Sequence, residues 1–166
     1  MTWKDVPGPF RTLGRWVTIV QLVGYTTSLI FVWHTTRLVP PGVAARYRGV
    51  NPDALEASEG AMQFPKSFAE MLNITHTHLL SMAVIFLITG VGVALCASIS
   101  ERWKRILIAE PFCALLVSFS AMWLMRYVAP GFSWLLEASS LLLAVTFYVN
   151  SYLILRDLHR VERAAP

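Results

Sequence analysis

The sequence predicts an all-α membrane protein, an up-down bundle of four transmembrane helices with both termini on the cytoplasmic side. Three observations carry this. Hydrophobic residues make up 55% of the chain and charged residues only 14%, whereas a soluble domain carries about a quarter charged. The charges are also segregated, so that 73–100 and 139–155 contain none, and runs of about 20 apolar residues are what a bilayer requires. Finally, the second and third connections are short, which forces antiparallel neighbours.

The elements follow in order. Residues 1–13 read as a polar lead, because Pro7 and Pro9 oppose a helix and Lys4 and Arg11 add charge. The first span covers 14–38 and is stopped by Pro40-Pro41-Gly42. Its apolar run, Trp16 to Trp33, is longer than the core of a signal peptide and is followed by no small-residue cleavage site, so it is expected to stay as a span. A long outer loop, 39–66, is rich in Gly, Pro and mixed charge. Within it Pro52 to Met62 predict a short surface helix, with Pro52 in the first turn and Asp53 and Glu56 suited to its dipole. The second span covers 67–98. Ser67 followed by Glu70 forms a capping-box pattern, which starts this helix outside the lipid and brings it in around Asn73 to His78. The third span covers 103–128, the turn Ala129-Pro130-Gly131 follows, and the fourth span covers 132–158 before a basic tail.

Charge sets the expected orientation. Lys4, Arg11, Arg15, Arg102, Lys104, Arg105, Arg156, Arg160 and Arg163 collect on the side of the termini, against Arg37, Arg46, Arg48, Lys66 and Arg126 on the other. The positive-inside rule then puts the termini in the cytoplasm and the 39–66 loop outside, as for a multi-pass protein of the bacterial inner membrane. Trp16, Trp33, Trp103, Trp123 and Trp134 fall at the interfaces, as an aromatic belt does. The net charge of +4 sits in clusters flanking the spans and not along one helix face, which argues against a nucleic-acid partner. Cys96 and Cys113 stand isolated, and no Cys-x-x-Cys-His occurs, so covalently attached c-type haem is excluded.

The chemistry-bearing residues fall at two depths. The outer layer holds His34 near the end of the first span and His76 and His78 at the start of the second. Arg126 late in the third span and Glu137 early in the fourth lie at similar depth. Unpaired imidazole is costly in hydrocarbon, so such a cluster asks for a ligand, a metal or a partner. Haem b needs two imidazoles at equal depth on facing helices, which His34 with His76 or His78 supplies. Residues 76 and 78 lie about 200° apart on a helix, so only one aims at a shared axial site. His76 shares its face with Leu80, Ala83, Leu87, Gly90 and Ala94, and His78 shares its face with Met82, Ile85, Thr89 and Gly92. The smaller stripe favours His76 as the haem ligand, leaving His78 for a propionate, a quinone oxygen or a second metal. Three histidines binding a metal directly is a further alternative, and interfacial histidines bonded to backbone are the plain one. Glu137 is expected to take a quinol proton, to contact a propionate, or to pair with Arg126. The inner layer holds Gln21, Glu110 and Asn150, and Glu110 is expected to hydrogen-bond Asn150 or Gln21.

The segment from Phe64-Pro-Lys-Ser67 through Ile74-Thr-His-Thr-His-Leu-Leu-Ser-Met82 resembles small four-helix bacterial membrane cytochromes b and quinol-interacting subunits that accompany multihaem cytochromes c. The resemblance implies an electron-transfer subunit. It would bind one haem b, or a quinol, at the periplasmic face and exchange electrons with a periplasmic cytochrome c inside a larger membrane complex. The absence of a second histidine pair near the cytoplasmic face limits the chain to one haem. The alternative is a non-catalytic structural or assembly subunit.

Overall fold

The computed structural model describes residues 1–49 and 64–164. All the described regular structure is helical. A 3-10 turn at Trp3–Asp5 leads into α1 (Gly8–Thr36), α2 (Pro40–Arg48), α3 (Phe68–Ala94), α4 (Glu101–Tyr127) and α5 (Phe132–Arg163). Of these, α1, α3, α4 and α5 are long and apolar enough to cross a membrane. Four crossings return the chain to its starting side, so the termini share one face (the terminal face), and the 39–66 connection marks the other (the loop face). The helix expected over Pro52 to Met62 lies outside the described residues.

Two helix starts differ from the expectation, for one physical reason. Pro9 stands in the first turn of α1, which begins at Gly8, several residues ahead of the predicted 14–38 span. Likewise Pro40 and Pro41, expected to end the first span and nothing more, also open α2. A proline's missing N–H is no loss in a first turn, where that donor has no intrahelical acceptor. The corner between α1 and α2 is tight. Arg37 and Leu38 adopt left-handed conformations, with φ 58° and 53°. At Gly42 a Cβ would fall 2.1 Å from the Thr36 carbonyl oxygen, so only glycine fits there. At α3 the Ser67–Glu70 capping box is formed as expected, with the Ser67 amide donating to Glu70 at 2.8 Å.

The bundle is organised around α5, which packs along α4, α3 and α1. Helices α4 and α5 run antiparallel and are joined in the membrane by Ser118 to Ser139 at 2.7 Å and by Asn150 to the Leu107 carbonyl at 3.1 Å. The second bond has a specific cause. Pro111 lies inside α4 and cannot donate to Leu107, four residues back. The carboxamide of Asn150 replaces that lost donor, as a broken ladder in hydrocarbon requires. Helices α3 and α5 run parallel, with Phe86 edge-on to Phe147 at 6.5 Å. At Gly92 a Cβ would fall 2.6 Å from Ile154, so the glycine is what lets α3 approach α5 there.

Helix α1 is different. It is attached through Tyr25, stacked on Phe147 at 4.2 Å, and through Thr26, bonded to the Tyr148 hydroxyl at 2.7 Å. Only 6% of its apolar stretch is buried, against 44% for α5. The bundle is therefore a three-helix core of α3, α4 and α5 with α1 laid against its side. This is less symmetrical than the simple four-helix arrangement the short loops suggest.

The two ends are closed by different devices. On the terminal face, Asp157 accepts from the Ala97 and Ser98 amides at 2.6 and 3.3 Å and holds the α3–α4 turn. Trp3 is buried there with Val93, Cys96, Ile154 and Leu158, and Arg15 pairs with Glu162. Thr2 donates to Asp5, and these bonds hold its carboxyl below the usual carboxylate range. On the loop face, α2 lies across the bundle end and seats Val43 against Met71, Met122 and Met125. Arg48 donates to the Met125 and Arg126 carbonyls at 2.8 and 3.3 Å, which satisfies acceptors freed at the end of α4.

Candidate functional site

The registers just described fix the depth of each outer-layer residue. Tyr25 is level with Phe147 on an antiparallel helix, so nine residues further along α1 His34 is level with Ala138. Phe86 is level with Phe147 on a parallel helix, which puts His76 level with Glu137 and His78 level with Ser139. His34, His76, His78 and Glu137 thus lie within about one helical turn of each other in depth. The depth relation inferred from the sequence agrees with the packing.

Their directions do not follow the expectation. His34 lies nine residues from Tyr25, about half a circle around α1, and is exposed on the side away from the bundle. His76 is also exposed, and its stripe continues through Leu80 and Leu87, 57% and 59% exposed, so this is a lipid-facing surface of α3. The small residues of that stripe serve α4, because Gly90 lies close to Ile108. The inward stripe belongs instead to His78, continuing through Met82 and Ile85 to the buried Thr89 and Gly92. His78 is itself exposed, with Nδ1 bonded to the Ile74 carbonyl of its own helix at 3.0 Å, which leaves Nε2 free to meet a ligand. The preference for His76 over His78 as the inward residue is therefore reversed. The reason is that helical spacing fixes the angle between two side chains but not which of them faces the bundle.

An axial haem pair of His34 and His76 does not fit this arrangement, since both imidazoles turn away from the space between the helices. Nor do three histidines converge. Among the described residues no three His, Cys, Asp or Glu side chains group closely enough to hold a metal ion.

Arg126 and Glu137 also remain apart. The Arg126 Nε donates to the Lys66 carbonyl at 2.8 Å, and its guanidinium lies over Tyr127 at 4.9 Å. Lys66 in turn donates its amide to the Tyr47 carbonyl at 2.9 Å. Arg126 thus ties the α2–α3 connection down onto α4 and, among the described residues, pairs with no carboxylate. Glu137 is half-buried, with Oε2 enclosed and without a hydrogen-bond partner. It is the one outer-layer acid with an unsatisfied oxygen among the described residues.

In the inner layer the expected bonds from Glu110 to Asn150 or Gln21 are not formed. Both Glu110 oxygens are buried and unpartnered, as are Gln21 Oε1 and Asn150 Oδ1. Sequence reasoning also missed α2 with its Arg48 bonds, and Trp3. The signal for α2 was present in the Pro-Pro start followed by Val43, Tyr47 and Arg48 on a helical repeat. Trp3 gave none, because a lone tryptophan in a polar lead reads equally well as an interfacial residue.

These features define a polytopic helical membrane domain with a capped loop face and exposed histidines on α1 and α3. A family model for a transmembrane helical domain matches residues 37–165, more than three quarters of the chain, and the protein belongs to that family, Aq_1264_TM. The matched segment begins just past the end of α1 and takes in α2 through α5. Comparison with curated proteins and with solved structures finds no significant match.

Proposed function

We propose that this chain is a non-catalytic subunit of a membrane complex, and that it receives a neighbouring subunit on the loop-side surface of α1 and α3. One observation carries the reading. His34 and His76 stand exposed at one depth, with His78 exposed beside them, and the surfaces of the first two would otherwise meet lipid or headgroups. Polar side chains there are expensive in lipid, and helix association in membranes uses such groups. The low burial of α1, 6% of its apolar stretch, agrees with a helix whose second partner is another chain. With the positive flanks placed in the cytoplasm, this surface lies in the periplasmic half of a bacterial inner membrane, within reach of a periplasmic redox protein such as a multihaem cytochrome c.

The expected result is specific. His34→Ala with His76→Ala should lower recovery of the partner from solubilised native membranes by about tenfold, the equivalent of roughly 1.4 kcal/mol. The thermal midpoint of the purified chain should stay within about 2 °C of the parent, as for surface changes. Undiminished recovery contradicts the proposal.

A second reading is favoured by Glu137 Oε2 and by the inward register of His78. Glu137 and His78 lie at one depth beside the sparse contact between α1 and α3, and would suit the two oxygens of a quinol. Nε2 of the imidazole and the carboxylate would each take one proton from a hydroxyl as the quinol gives its two electrons to the redox partner and leaves as quinone. In that role the chain passes electrons toward the redox partner. Lipid extraction of the purified protein should then yield quinone at near-equimolar amount, lost in Glu137→Gln. A reduced-minus-oxidised spectrum checks haem b independently, and a well-folded preparation without either cofactor removes the electron-transfer reading.

A further inference from the structure

We infer that Glu110, with Gln21 and Asn150, forms a binding site for a single monovalent cation in the terminal-side half of the membrane. The inference does not depend on the loop-side histidine surface. Three helices supply the site. Tyr25, Phe147 and Glu110 share one level: Tyr25 stacks on Phe147 and lies edge-on to Tyr148, and the Ser118–Ser139 and Asn150–Leu107 bonds put Glu110 opposite Phe147. One turn toward the terminal face, the next level holds Gln21 on α1, Leu107 on α4, and Asn150 and Ser151 on α5. Side chains on a helix lean toward its N-terminus. The carboxylate of Glu110, on a helix that starts at the terminal face, therefore leans into this second level. There Asn150 already reaches α4 through the Leu107 carbonyl at 3.1 Å, so its Oδ1 lies beside the turn that carries Glu110.

The chemistry of the unsatisfied atoms is uniform. Glu110 Oε1 and Oε2, Gln21 Oε1 and Asn150 Oδ1 are all buried, all without a partner, and all hydrogen-bond acceptors. Asn150 is 1% exposed and Ser151 is fully buried, with its Oγ also unpartnered. A cluster of acceptor oxygens with one formal negative charge and, among the described residues, no basic side chain beside it lacks a positive species, since an uncompensated buried charge is strongly unfavourable. Among the described residues none supplies one. The titratable groups around the carboxylate are the phenols of Tyr25 on α1 and Tyr148 on α5, while α3 presents Phe86 and Thr89. Arg15 and Lys104 are engaged with Glu162 and Glu101 at the terminal face, and Arg156 lies nearly two turns from Asn150 toward that face. A proton on the carboxylate, donated to either amide oxygen, completes the cluster, and so does an alkali ion bound by the same oxygens.

Infrared difference spectroscopy of the whole protein in lipid vesicles tests this, with Glu110→Gln to assign the band and Gln21→Leu as a second variant that leaves the carboxyl in place. A carboxylic-acid carbonyl band that titrates reversibly and vanishes in Glu110→Gln identifies the bound proton. Loss of that band, or a shift of the carboxylate bands, on adding sodium chloride at fixed pH identifies the alkali ion. Gln21→Leu should shift the titration or the salt response in either case. A carboxylate that stays ionised at every pH at which the protein remains folded, and is indifferent to sodium, overturns the inference.

Discussion

Replacing Trp3 by alanine is expected to destabilise the protein by about 3–5 kcal/mol, the range for truncating a buried aromatic. The side chain is only 5% exposed and is packed with Val93, Ile154 and Leu158. Its Nε1 donates to the Gly92 carbonyl at 3.2 Å and its amide donates to the Leu95 carbonyl at 2.9 Å. On its other side the ring lies so close to Gly14 that a Cβ there would be 2.7 Å away. Trp3 therefore connects the start of α1 to the end of α3, and α1 has few other attachments. The loss should show as a lowered denaturation midpoint in detergent, together with faster proteolysis ahead of residue 14. Trp3→Phe, which keeps most of the ring but not the donor, should cost about 1 kcal/mol. A midpoint unchanged in Trp3→Ala would mean that the N-terminal turn does not hold the bundle.

Asn150→Leu should cost about 1–3 kcal/mol, the penalty for leaving a buried polar group without its partner. The group left alone is the Leu107 carbonyl, which has no helical donor because residue 111 is proline. This cause makes a sharper test available. Pro111→Ala restores an amide four residues after Leu107, and in that background Asn150→Leu should be within about 0.5 kcal/mol of neutral, the usual error of additivity. Equal losses in the two backgrounds would show that Asn150 acts through something other than that carbonyl. Measured as a double-mutant cycle in micelles, the coupling should approach the full single-mutant penalty.

How much of this was legible beforehand depends on the kind of signal. Charge segregation names the four crossings, because the bilayer enforces length and apolarity on each segment separately. Depth is legible too, since it follows from counting residues along helices of known direction, and His34, His76, His78 and Glu137 are level as expected. Azimuth is not. The angle between His76 and His78 can be read from the sequence, but the face turned to the bundle is decided by how closely α3 meets α4 and α5 at Gly90 and Gly92. Polar pairing is equally hidden. Arg126 and Glu137 are expected at similar depth, yet by the Ser118–Ser139 register Arg126 lies nearer the loop face, where it is taken by the Lys66 carbonyl. Asn150 is taken by an acceptor that exists only because Pro111 stands one turn away. Prolines misled in a regular way, since Pro9, Pro40 and Pro41 look like breakers and stand in first helical turns.

The exposure of α1 bears on function. A helix that buries 6% of its apolar stretch contributes little to the stability of its own chain beyond the contacts of Tyr25, Thr26 and the Trp3 anchor. Its exposed face includes Gly24, where a side chain would meet nothing within 4 Å, and Ser28 one turn on, a small-residue pair of the kind that permits close helix approach. His34 ends the same helix. Such a surface is understandable if α1 is shared with a second protein.

Photo-crosslinking in intact membranes tests the proposed subunit role most directly. A benzophenone amino acid placed at residue 34, at residue 76 or at lipid-facing Leu141 of α5 is irradiated before solubilisation. The account predicts the same protein partner captured from 34 and 76, capture suppressed when the neighbouring histidine is changed to alanine, and lipid alone captured from 141. Lipid alone at all three positions would contradict it.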